Sequence, residues 1–513
     1  MNNVILYTDG YKLGHHNQYP KGTTLVYSNL TPRSNKYFPN ADGVTVFGIQ
    51  YFIKKYLIDE FNKHFFNKPE EEVVAKFKRR IDTFLGADNN VGIEHIRALH
   101  KLGYLPLKIK ALPEGTLCPI RVPYLTIVNT HPDFFWLTNY LETLISCELW
   151  LPVTSATHSR LALKALKEHC EKVGMELNPF LVHDFSMRGM AGLEAAVVSG
   201  MAHLTSLVGS ETNPAIEALE AYYDCDAEKE LIAGTVPATE HSVMCAGGDV
   251  NEFDTYKRLI NEVYPTGYVS IVSDTWDYWR VITDYLPRLK KDIMARNGRV
   301  VIRPDSGDPV DIVCGLYTNP HYNAIHKEGK YYISDVRAPL DMLVEVSRAE
   351  FYGSYFLLWE IFGGTINEKG FKVLDDHIGM IYGDSINLER QRAMYERLEA
   401  KGFTASNLVL GYGSYTFQYN TRDQLGQAVK ATYCEINGEP QEIYKNPKTD
   451  DGTKKSLKGL ICVQKDESGK YYAIDQVSKE IEDTGCLKTV FLNGELVNPT
   501  NLKKIRANVQ ASL

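Results

Sequence analysis

Two hydrophobic patterns alternate along the middle of the chain. Short apolar runs of β-strand character end in polar or glycine-rich clusters, and stretches with apolar residues at three-to-four spacing follow several of them. Strands that alternate with helices predict βαβ units and a parallel sheet. Six such runs in one region favour a closed or nearly closed barrel over an open sheet. The runs cover 180–185, 233–241, 268–274, 299–308, 378–384 and 408–414.

The two ends of the chain have a different texture. Residues 1–151 mix short β-type runs with helical stretches, including a helix predicted over about 47–66. Residues 421–513 alternate apolar and polar positions like antiparallel strands, with Asn-Gly and Asp-Gly turn signals. We therefore predict an α/β protein with two domains. An irregular (β/α) barrel-like domain covers 152–420, with an insertion around 312–375, and a discontinuous α/β domain is formed by 1–151 and 421–513.

Composition narrows the class of protein. The chain has 513 residues, of which 44% are hydrophobic and 23% charged, as expected for a globular protein with more than one core. A formal net charge of −8 argues against DNA or an anionic membrane as the main partner. The nine cysteines contain no C-x-x-C pair, which indicates reduced thiols. We expect a cytoplasmic protein with no signal peptide, no membrane span and no nucleic-acid partner.

Polar residues follow the predicted strands at their carboxyl ends. In parallel α/β folds, active sites are built at this edge of the sheet. We therefore expect side chains that are far apart in the sequence to converge on one site. These side chains are Asp184, His241, Asp274, Arg303, Asp305 and Asp384.

The segment IRPDSGDP at 302–309 gives the sharpest chemical signal. Arg303 presents a planar fork of donors that fits phosphate oxygens, and Asp305 suits a ribose hydroxyl or Mg²⁺. Ser306 and Gly307 predict a turn whose N–H groups can approach an anion. A plain strand-to-turn with a surface Arg–Asp pair remains the structural alternative.

Two further segments combine a titratable group or a ring with a strand end. In TEHS, His241 is a candidate general base, phosphate contact or phosphoryl acceptor. In HDFSMRG, Phe185 could stack on a flat heteroaromatic ring, and Arg188 could contact a phosphate or polarise a carbonyl. A satisfied structural histidine and a buried phenylalanine remain the alternatives.

Three other segments carry weaker signals. VSDTWD places Asp274 at a strand end, where it could bind metal or ribose. YGDS (382–385) and GYGS (411–414) are glycine loops that let a ligand approach the backbone. TDGYK near the N-terminus offers Asp9 and, as a second stacking ring, Tyr11.

Taken in order, these segments resemble the nicotinamide phosphoribosyltransferase family. The matching pieces run nearly end to end, and their number and order make a chance match very improbable. They are TDGYKLGHHNQYP, VFGIQYFIKKYL, LPEGT, FFWLTNYLETLIS, HDFSMRG, VPATEHS, VSDTWD, IRPDSGDP, GDSI, the Gly loop with NTRD, and YKNP.

The resemblance implies an enzyme of NAD salvage that joins nicotinamide to phosphoribosyl pyrophosphate, with Mg²⁺ as cofactor and ATP as co-substrate. It also implies a head-to-tail homodimer with nicotinamide between Phe185 and Tyr11 of the partner subunit. His241 would be the histidine that ATP phosphorylates. The metal ligands stay open.

The same resemblance assigns the remaining site residues. Arg303 would bind the phosphate of the phosphoribosyl group and Asp305 its ribose hydroxyls, with Asp274 in the matching ribose and metal region. The substrate-binding set would further contain Asp9, Arg188, Glu211, Arg33, Gly383, Asp384, Gly413, Ser414, Arg422, Lys430 and Lys445.

This chain departs from the family pattern in three places. It has Gly209-Ser210-Glu211 where the family has Gly-Thr-Asp, and the glycine loop reads Gly-Tyr-Gly-Ser-Tyr. The span from Asp305 to Asp384 is also longer. The Glu in place of Asp leaves a nicotinate-specific enzyme as the nearest alternative. A non-catalytic binding protein on the same scaffold, and a barrel lyase or isomerase acting on a phosphorylated sugar, are the alternatives from other classes.

Overall fold

The computed structural model describes residues 3–337, 339, 342–444 and 457–513, and the chain divides into two compact units. The first, which we call the sheet unit, contains Met1–Arg160, Pro214–Glu230 and Asn420–Leu513. The second, the barrel unit, contains Leu161–Asn213 and Leu231–Tyr419.

The strands are, in chain order, β1 (Thr23–Pro32), β2 (Val44–Thr45), β3 (Leu107–Ala111), β4 (Leu117–Cys118), β5 (Leu125–Asn129), β6 (Val182–Asp184), β7 (Gly209–Ser210), β8 (Val269–Val272), β9 (Val300–Arg303), β10 (Tyr322–Lys327), β11 (Lys330–Asp335), β12 (Val344–Val346), β13 (Gly364–Ile366), β14 (Lys372–Leu374), β15 (Ile378–Ile386), β16 (Leu408–Tyr412), β17 (Gln427–Ile436), β18 (Glu439–Glu442), β19 (Leu460–Lys465), β20 (Tyr471–Val477), β21 (Lys488–Leu492) and β22 (Glu495–Leu496).

The α-helices are α1 (Ile49–Phe52), α2 (Glu70–Phe84), α3 (Glu94–Leu102), α4 (Leu137–Tyr140), α5 (Glu142–Val173), α6 (Leu193–His203), α7 (Pro214–Tyr223), α8 (His241–Gly247), α9 (Glu252–Arg258), α10 (Tyr278–Arg280), α11 (Leu286–Met294), α12 (Pro309–Cys314), α13 (Arg348–Tyr352), α14 (Ser354–Phe362), α15 (Leu388–Ala400), α16 (Ser414–Gln418), α17 (Lys479–Asp483) and α18 (Leu502–Gln510). Helix α1 continues in π-helical turns over Ile53–Glu60 and Asn62–Phe66, so the helix predicted over 47–66 is present.

In the sheet unit, strands from both ends of the chain form one antiparallel sheet. Its order is β18-β17-β1-β5-β3-β21-β22, so β1 pairs with β17 and β3 pairs with β21. Apolar side chains of this sheet, such as Val26, Ile109 and Phe491, are fully buried. Pairing between distant segments explains why this α/β unit is discontinuous in sequence.

The structure and the sequence prediction place the segment 214–230 in different units. The sequence prediction includes this segment in the barrel-like domain, 152–420. In the structure this segment belongs to the sheet unit. Tyr223 of α7 stacks on Phe47 with ring centroids 5.3 Å apart, and its hydroxyl donates to Glu114 at 2.9 Å. These buried contacts attach α7 to the sheet unit, and a local sequence pattern does not reveal them.

In the barrel unit, parallel strands run in the order β7-β6-β16-β15-β9-β8. The segment 233–241, predicted as a strand, forms no ladder of its own. It makes single parallel bridges instead, from Gly234 to Gly209 of β7 and from Ala238 to Ser270 of β8. Pro237 in this segment has no N–H to donate, which limits its pairing. These bridges connect the two edge strands, so the predicted irregular barrel-like fold is confirmed.

The predicted insertion falls on a distinct substructure. The antiparallel strands β10-β11-β12 form a small sheet, and β13 pairs with β14. Helices α13 and α14 lie between these strands in sequence. None of the helices in the described part of the chain combines the length and the apolar character that crossing a membrane requires.

Candidate active site

A cavity of about 980 Å³ opens at the carboxyl ends of the barrel strands. It lies within the barrel unit. The segments that follow β6, β9 and β16, the carboxyl-terminal half of β15, and residues 235–240 supply most of its walls. The predicted site residues that line it are Phe185, Arg188, Glu211, Arg303, Asp305, Gly383, Asp384, Gly413 and Ser414.

Arg303 and two carboxylates form the charged centre of the cavity. Arg303 ends β9, and its Nη2 donates to the backbone oxygen of Thr239 at 2.7 Å. Its Nε lies 3.6 Å from Asp305 Oδ2 and has no hydrogen-bond partner among the described residues. The N–H of Asp305 donates to Asp274 Oδ2 at 2.9 Å. Backbone and carboxylate contacts thus fix Arg303 in place while part of its guanidinium group stays free for an anion.

His241 lies beside this centre at the first position of α8. Its Nε2 is 3.7 Å from Asp274 Oδ1 and 3.8 Å from Asp305 Oδ2. Its Nδ1 is 3.2 Å from the hydroxyl oxygen of Thr275. The side chain is 48% exposed, so a ligand can reach the ring. The structure therefore brings together His241, Asp274 and Asp305.

Phe185 forms a flat wall of the same cavity. A Cβ built on Gly411 would lie 2.3 Å from Phe185 Cδ2, and one built on Gly383 would lie 3.0 Å from Phe185 Cε2. A Cβ on Gly383 would also lie 3.2 Å from Asp305 Oδ1. Glycine is needed at Gly411 because any larger residue would overlap the ring. The ring and the Asp305 carboxylate are therefore neighbours.

Glu211 is held at the end of β7 by two contacts. Its backbone N–H donates to the backbone oxygen of Asp184 at 2.9 Å, and the hydroxyl of Thr235 donates to Glu211 Oε1. Asp184 is itself fully buried, accepts from the N–H of Ser186 at 2.9 Å and from the Thr212 hydroxyl at 2.6 Å, and does not line the cavity. Asp184 therefore supports the loops of the site, contrary to our expectation that it converges there.

Asp305 carries a shifted pKa. Burial raises it, and the neighbouring carboxylates of Asp274 and Asp384 raise it further, while Arg303 and His241 act in the opposite direction. Ionising Asp305 is therefore less favourable in the folded protein without ligand than in the unfolded chain. Such a cost is typical of a functional site.

We expect Asp305→Asn to raise the Tm of the ligand-free protein at pH 7 to 8. Because the folded pKa lies above the unfolded one, the stabilising effect of the neutral carboxyl is complete below the unfolded pKa and is lost as pH rises through the folded pKa. The Tm difference between variant and wild type should therefore shrink as the pH is lowered toward 4. The same variant should lose about tenfold or more in kcat/KM, since a hydrogen bond to a charged group is removed. A Tm below that of the wild type at pH 8 would contradict this reading.

The other predicted residues lie in the sheet unit. Tyr11 is 64% exposed, with Lys12 Nζ 5.3 Å from its ring centroid, and the Thr143 hydroxyl donates to Asp9 Oδ2 at 2.6 Å. Arg33 Nε donates to the backbone oxygen of Gly426 at 3.2 Å. Lys445 lies outside the described residues.

Lys430 marks a concentration of positive charge in the sheet unit. Its Nζ is 3.7 Å from Glu142 Oε1. Partial burial lowers its pKa; Glu142 opposes this shift, and the nearby cations Arg33, Lys12 and Arg422 add to it. Four cations near one glutamate give this surface a net positive charge that suits an anion.

Several functional contacts were not identified from the sequence. Thr235 orients Glu211, and the backbone oxygen of Thr239 orients Arg303. The Tyr382 hydroxyl donates to the backbone oxygen of Ser306 at 2.6 Å and so fixes the turn after β9. The threonine two residues before Pro237 was a signal for the first contact. The other two contacts use backbone oxygens as acceptors, so the residue types carry no signal for them.

The carboxylates can be compared with the needs of a magnesium ion. No group of three or more His, Cys, Asp or Glu side chains arranged to hold a metal occurs in the described part of the chain. Mg²⁺ is usually held by one or two carboxylates together with substrate phosphates, so such a group is not required. Asp274 Oδ1 is buried without a hydrogen-bond partner, and Asp305 lies beside it. These two oxygen donors fit a magnesium ion that a substrate brings with it.

The fold is similar to those of two solved structures. A crystal structure of nicotinate-nucleotide pyrophosphorylase from Pyrococcus furiosus matches with a TM-score of 0.56 at 14% identity, over 100% of this chain and 97% of the other. A crystal structure of human nicotinic acid phosphoribosyltransferase matches with a TM-score of 0.52 at 14% identity, over 98% and 93% of the two chains.

The chain belongs to the nicotinate phosphoribosyltransferase (NAPRTase) family, whose profile matches residues 180–495. Residues 3–109 match the N-terminal domain of nicotinamide phosphoribosyltransferase. A protein of Acinetobacter baylyi named nicotinamide phosphoribosyltransferase is 47% identical over 98% of this chain and 96% of its own length. A protein of the same name from Xanthomonas campestris is 31% identical over 100% of this chain and 99% of its own length.

Proposed function

We propose that this protein is a nicotinamide phosphoribosyltransferase of NAD salvage. It transfers the phosphoribosyl group of phosphoribosyl pyrophosphate to the ring nitrogen of nicotinamide and releases pyrophosphate. One observation carries the proposal: the flat face of Phe185 and the Arg303–Asp305 pair line the same cavity, next to each other. A pyridine ring and a phosphorylated ribose need these two surfaces side by side. End-to-end relatives that carry this name support the choice of substrate.

The chemistry follows from the charge that develops during the reaction. The pyridine nitrogen carries a free electron pair and attacks the anomeric carbon, while the bond from that carbon to the pyrophosphate oxygen breaks. Positive charge grows on the ribose and negative charge on the leaving group, and no strong general base is required. Catalysis then comes from positioning and from fixed charges. Arg303 holds a phosphate, Asp305 holds the ribose hydroxyls, and Phe185 orients the base.

Glycine loops and cations complete the proposed substrate site. Gly383, Asp384, Gly413 and Ser414 line the cavity and would lie along the 5′-phosphate and ribose. Arg188, at the start of the segment after β6, would contact the base and the phosphate. If magnesium enters with the substrate, Asp274 and Asp305 would hold it, and it would neutralise charge on the leaving pyrophosphate.

We propose that ATP stimulates the reaction through phosphorylation of His241. The bond from the γ-phosphorus to the bridging oxygen breaks, a histidine nitrogen accepts the phosphoryl group, and ADP leaves. Water later releases the group as phosphate. The half-exposed ring of His241, next to Asp274 and Asp305, supports this role.

The homodimer is also a proposal. Tyr11 is an exposed ring on the sheet unit, and Lys12, Arg33, Arg422 and Lys430 lie close together there. Lys12 is buried and paired with Glu142. We propose that the other groups, with Asp9 and Lys445, reach the cavity of a partner subunit. There the ring would cover the base opposite Phe185, and the cations would bind pyrophosphate. Their surface charge supports this arrangement.

The activity can be tested directly. The purified protein is incubated with phosphoribosyl pyrophosphate, Mg²⁺ and either nicotinamide or nicotinate, with and without ATP, and the nucleotide formed is identified. We expect nicotinamide mononucleotide, formed faster when ATP is present. Nicotinate mononucleotide as the main product would instead support the nicotinate-specific alternative. No nucleotide from either base would support a binding protein or a different barrel enzyme.

Glu211 should set the choice between the two bases. Its carboxylate accepts from an amide NH₂ and repels the carboxylate of nicotinate, so Glu211→Gln should lower the preference for nicotinamide at least about tenfold in kcat/KM. Thr235→Val, which removes the hydroxyl that holds Glu211, should shift the preference in the same direction by less. Glu240→Gln is the matched control, because it makes the same substitution at another residue that lines the cavity. It should leave the ratio of kcat/KM for nicotinamide and nicotinate unchanged. An unchanged ratio in Glu211→Gln would show that selectivity lies elsewhere.

A further inference from the structure

A second cavity, of about 590 Å³, lies within the sheet unit between α2 and the N-terminal segment 3–13. Three cationic side chains of α2 line it: Lys76, Arg79 and Arg80. They are spaced three and four residues apart, so they lie on one face of the helix. The opposite face of α2 is apolar and buried. The volume is in the range of cavities that hold small molecules.

The charge of this cavity is not balanced by the protein. Lys76 pairs with Glu72 at 2.6 Å, but Arg79 and Arg80 form no ion pair with any residue that the structure describes. No acidic side chain is among the residues that line the cavity. Two unpaired guanidinium groups at the wall of a concave surface are typical of a phosphate or carboxylate site.

Two aromatic rings and one amide oxygen give the cavity further recognition groups. Tyr7 and Phe84 line it, and Phe84 is 61% exposed although it is a large apolar side chain. Asn3 also lines it, and its side chain is only 7% exposed. Its Nδ2 donates to the backbone oxygen of Val73 at 3.2 Å. Its Oδ1 is buried and has no partner among the described residues. A buried acceptor without a donor favours a ligand that supplies an N–H or O–H group.

We propose that this cavity binds a nucleotide. The phosphate would meet Arg79 and Arg80, the base would stack on Tyr7 or Phe84, and an exocyclic N–H group would donate to Asn3. The site is separate from the barrel cavity and does not depend on the proposed function.

The position of this nucleotide site links it to the N-terminal turn. A Cβ built on Gly10 would lie 2.3 Å from Phe84 Cε1, so the ring rests directly on the backbone beside Asp9 and Tyr11. A base that moves the Phe84 ring would therefore also move this turn.

Photo-crosslinking tests the location. The full-length protein is irradiated with 8-azido-AMP, and labelled peptides are identified by mass spectrometry, with and without excess AMP. We expect AMP-protected label within 3–7 or 70–84. Label confined to other segments, including the turn that carries Asp9 and Tyr11, would overturn the proposal, and this measurement needs no mutant.

Titration calorimetry tests the chemistry. The double variant Arg79→Ala/Arg80→Ala should bind AMP at least tenfold more weakly than wild type, whereas Lys78→Ala, which removes a charge of α2 outside the cavity, should not change affinity. Inorganic phosphate and adenosine should each bind at least tenfold more weakly than AMP. Equal loss in both variants, or phosphate binding as tightly as AMP, would contradict a nucleotide site.

Discussion

Arg303→Ala should reduce kcat/KM for nucleotide synthesis at least about hundredfold while the fold stays intact. The side chain is anchored by the backbone oxygen of Thr239, and its Nε has no hydrogen-bond partner within the described chain. It is therefore held in position to bind the phosphate of the phosphoribosyl group. Loss of one such group typically costs roughly 2.7–4 kcal/mol of transition-state stabilisation. Steady-state kinetics with phosphoribosyl pyrophosphate as the varied substrate measures the loss.

Two further variants serve as an intermediate case and a control for Arg303→Ala. Arg303→Lys keeps the charge but loses the planar fork, so its kcat/KM should fall between those of the wild type and the alanine variant. Arg299→Ala removes an arginine just before the other end of β9, where it binds Asp376, and should leave kcat/KM close to normal. Near-normal kinetics in Arg303→Ala would rule out its assigned role. A parallel fall in Tm would show that the fold, not the site, was damaged.

His241→Ala should abolish ATP hydrolysis and leave slow synthesis that ATP does not accelerate. The imidazole is the proposed phosphoryl acceptor, and alanine offers no nucleophile. The substrate site itself keeps Arg303, Asp305 and Phe185, so basal synthesis should persist. ADP release and acid-labile phosphorylation of the protein are the two measurements.

A second histidine of the barrel unit provides the control for this prediction. His377 precedes β15 at the amino end of the barrel and contacts Asp375 through Nδ1 at 2.7 Å. His377→Ala should keep both ATP hydrolysis and its coupling to synthesis. Thr275→Val, which removes the hydroxyl beside His241 Nδ1, should slow phosphorylation without abolishing it. Retained ATP hydrolysis in His241→Ala would contradict the phosphohistidine.

Tyr11, the proposed second stacking surface, belongs to a different unit from Phe185. The ring lies in the sheet unit, while Phe185 lies in the barrel unit. Its role as the second stacking surface rests on the family resemblance and on its exposure. The same holds for Arg33, Arg422 and Lys430, whose mutual proximity supports a shared anion.

The sequence by itself determined the barrel class and predicted most of the residues that line its cavity. Alternating apolar runs and helices are local patterns, and parallel strands place their carboxyl ends at one edge, where Arg303, Asp305 and Asp384 line the cavity. Only the tertiary structure decided that the segment around Pro237 makes single bridges to β7 and β8 instead of a full strand ladder. It also decided the attachment of α7 to the sheet unit and the contacts of Thr235 and Thr239 with the site. These features depend on contacts between segments far apart in sequence, and local periodicity carries no information about such contacts.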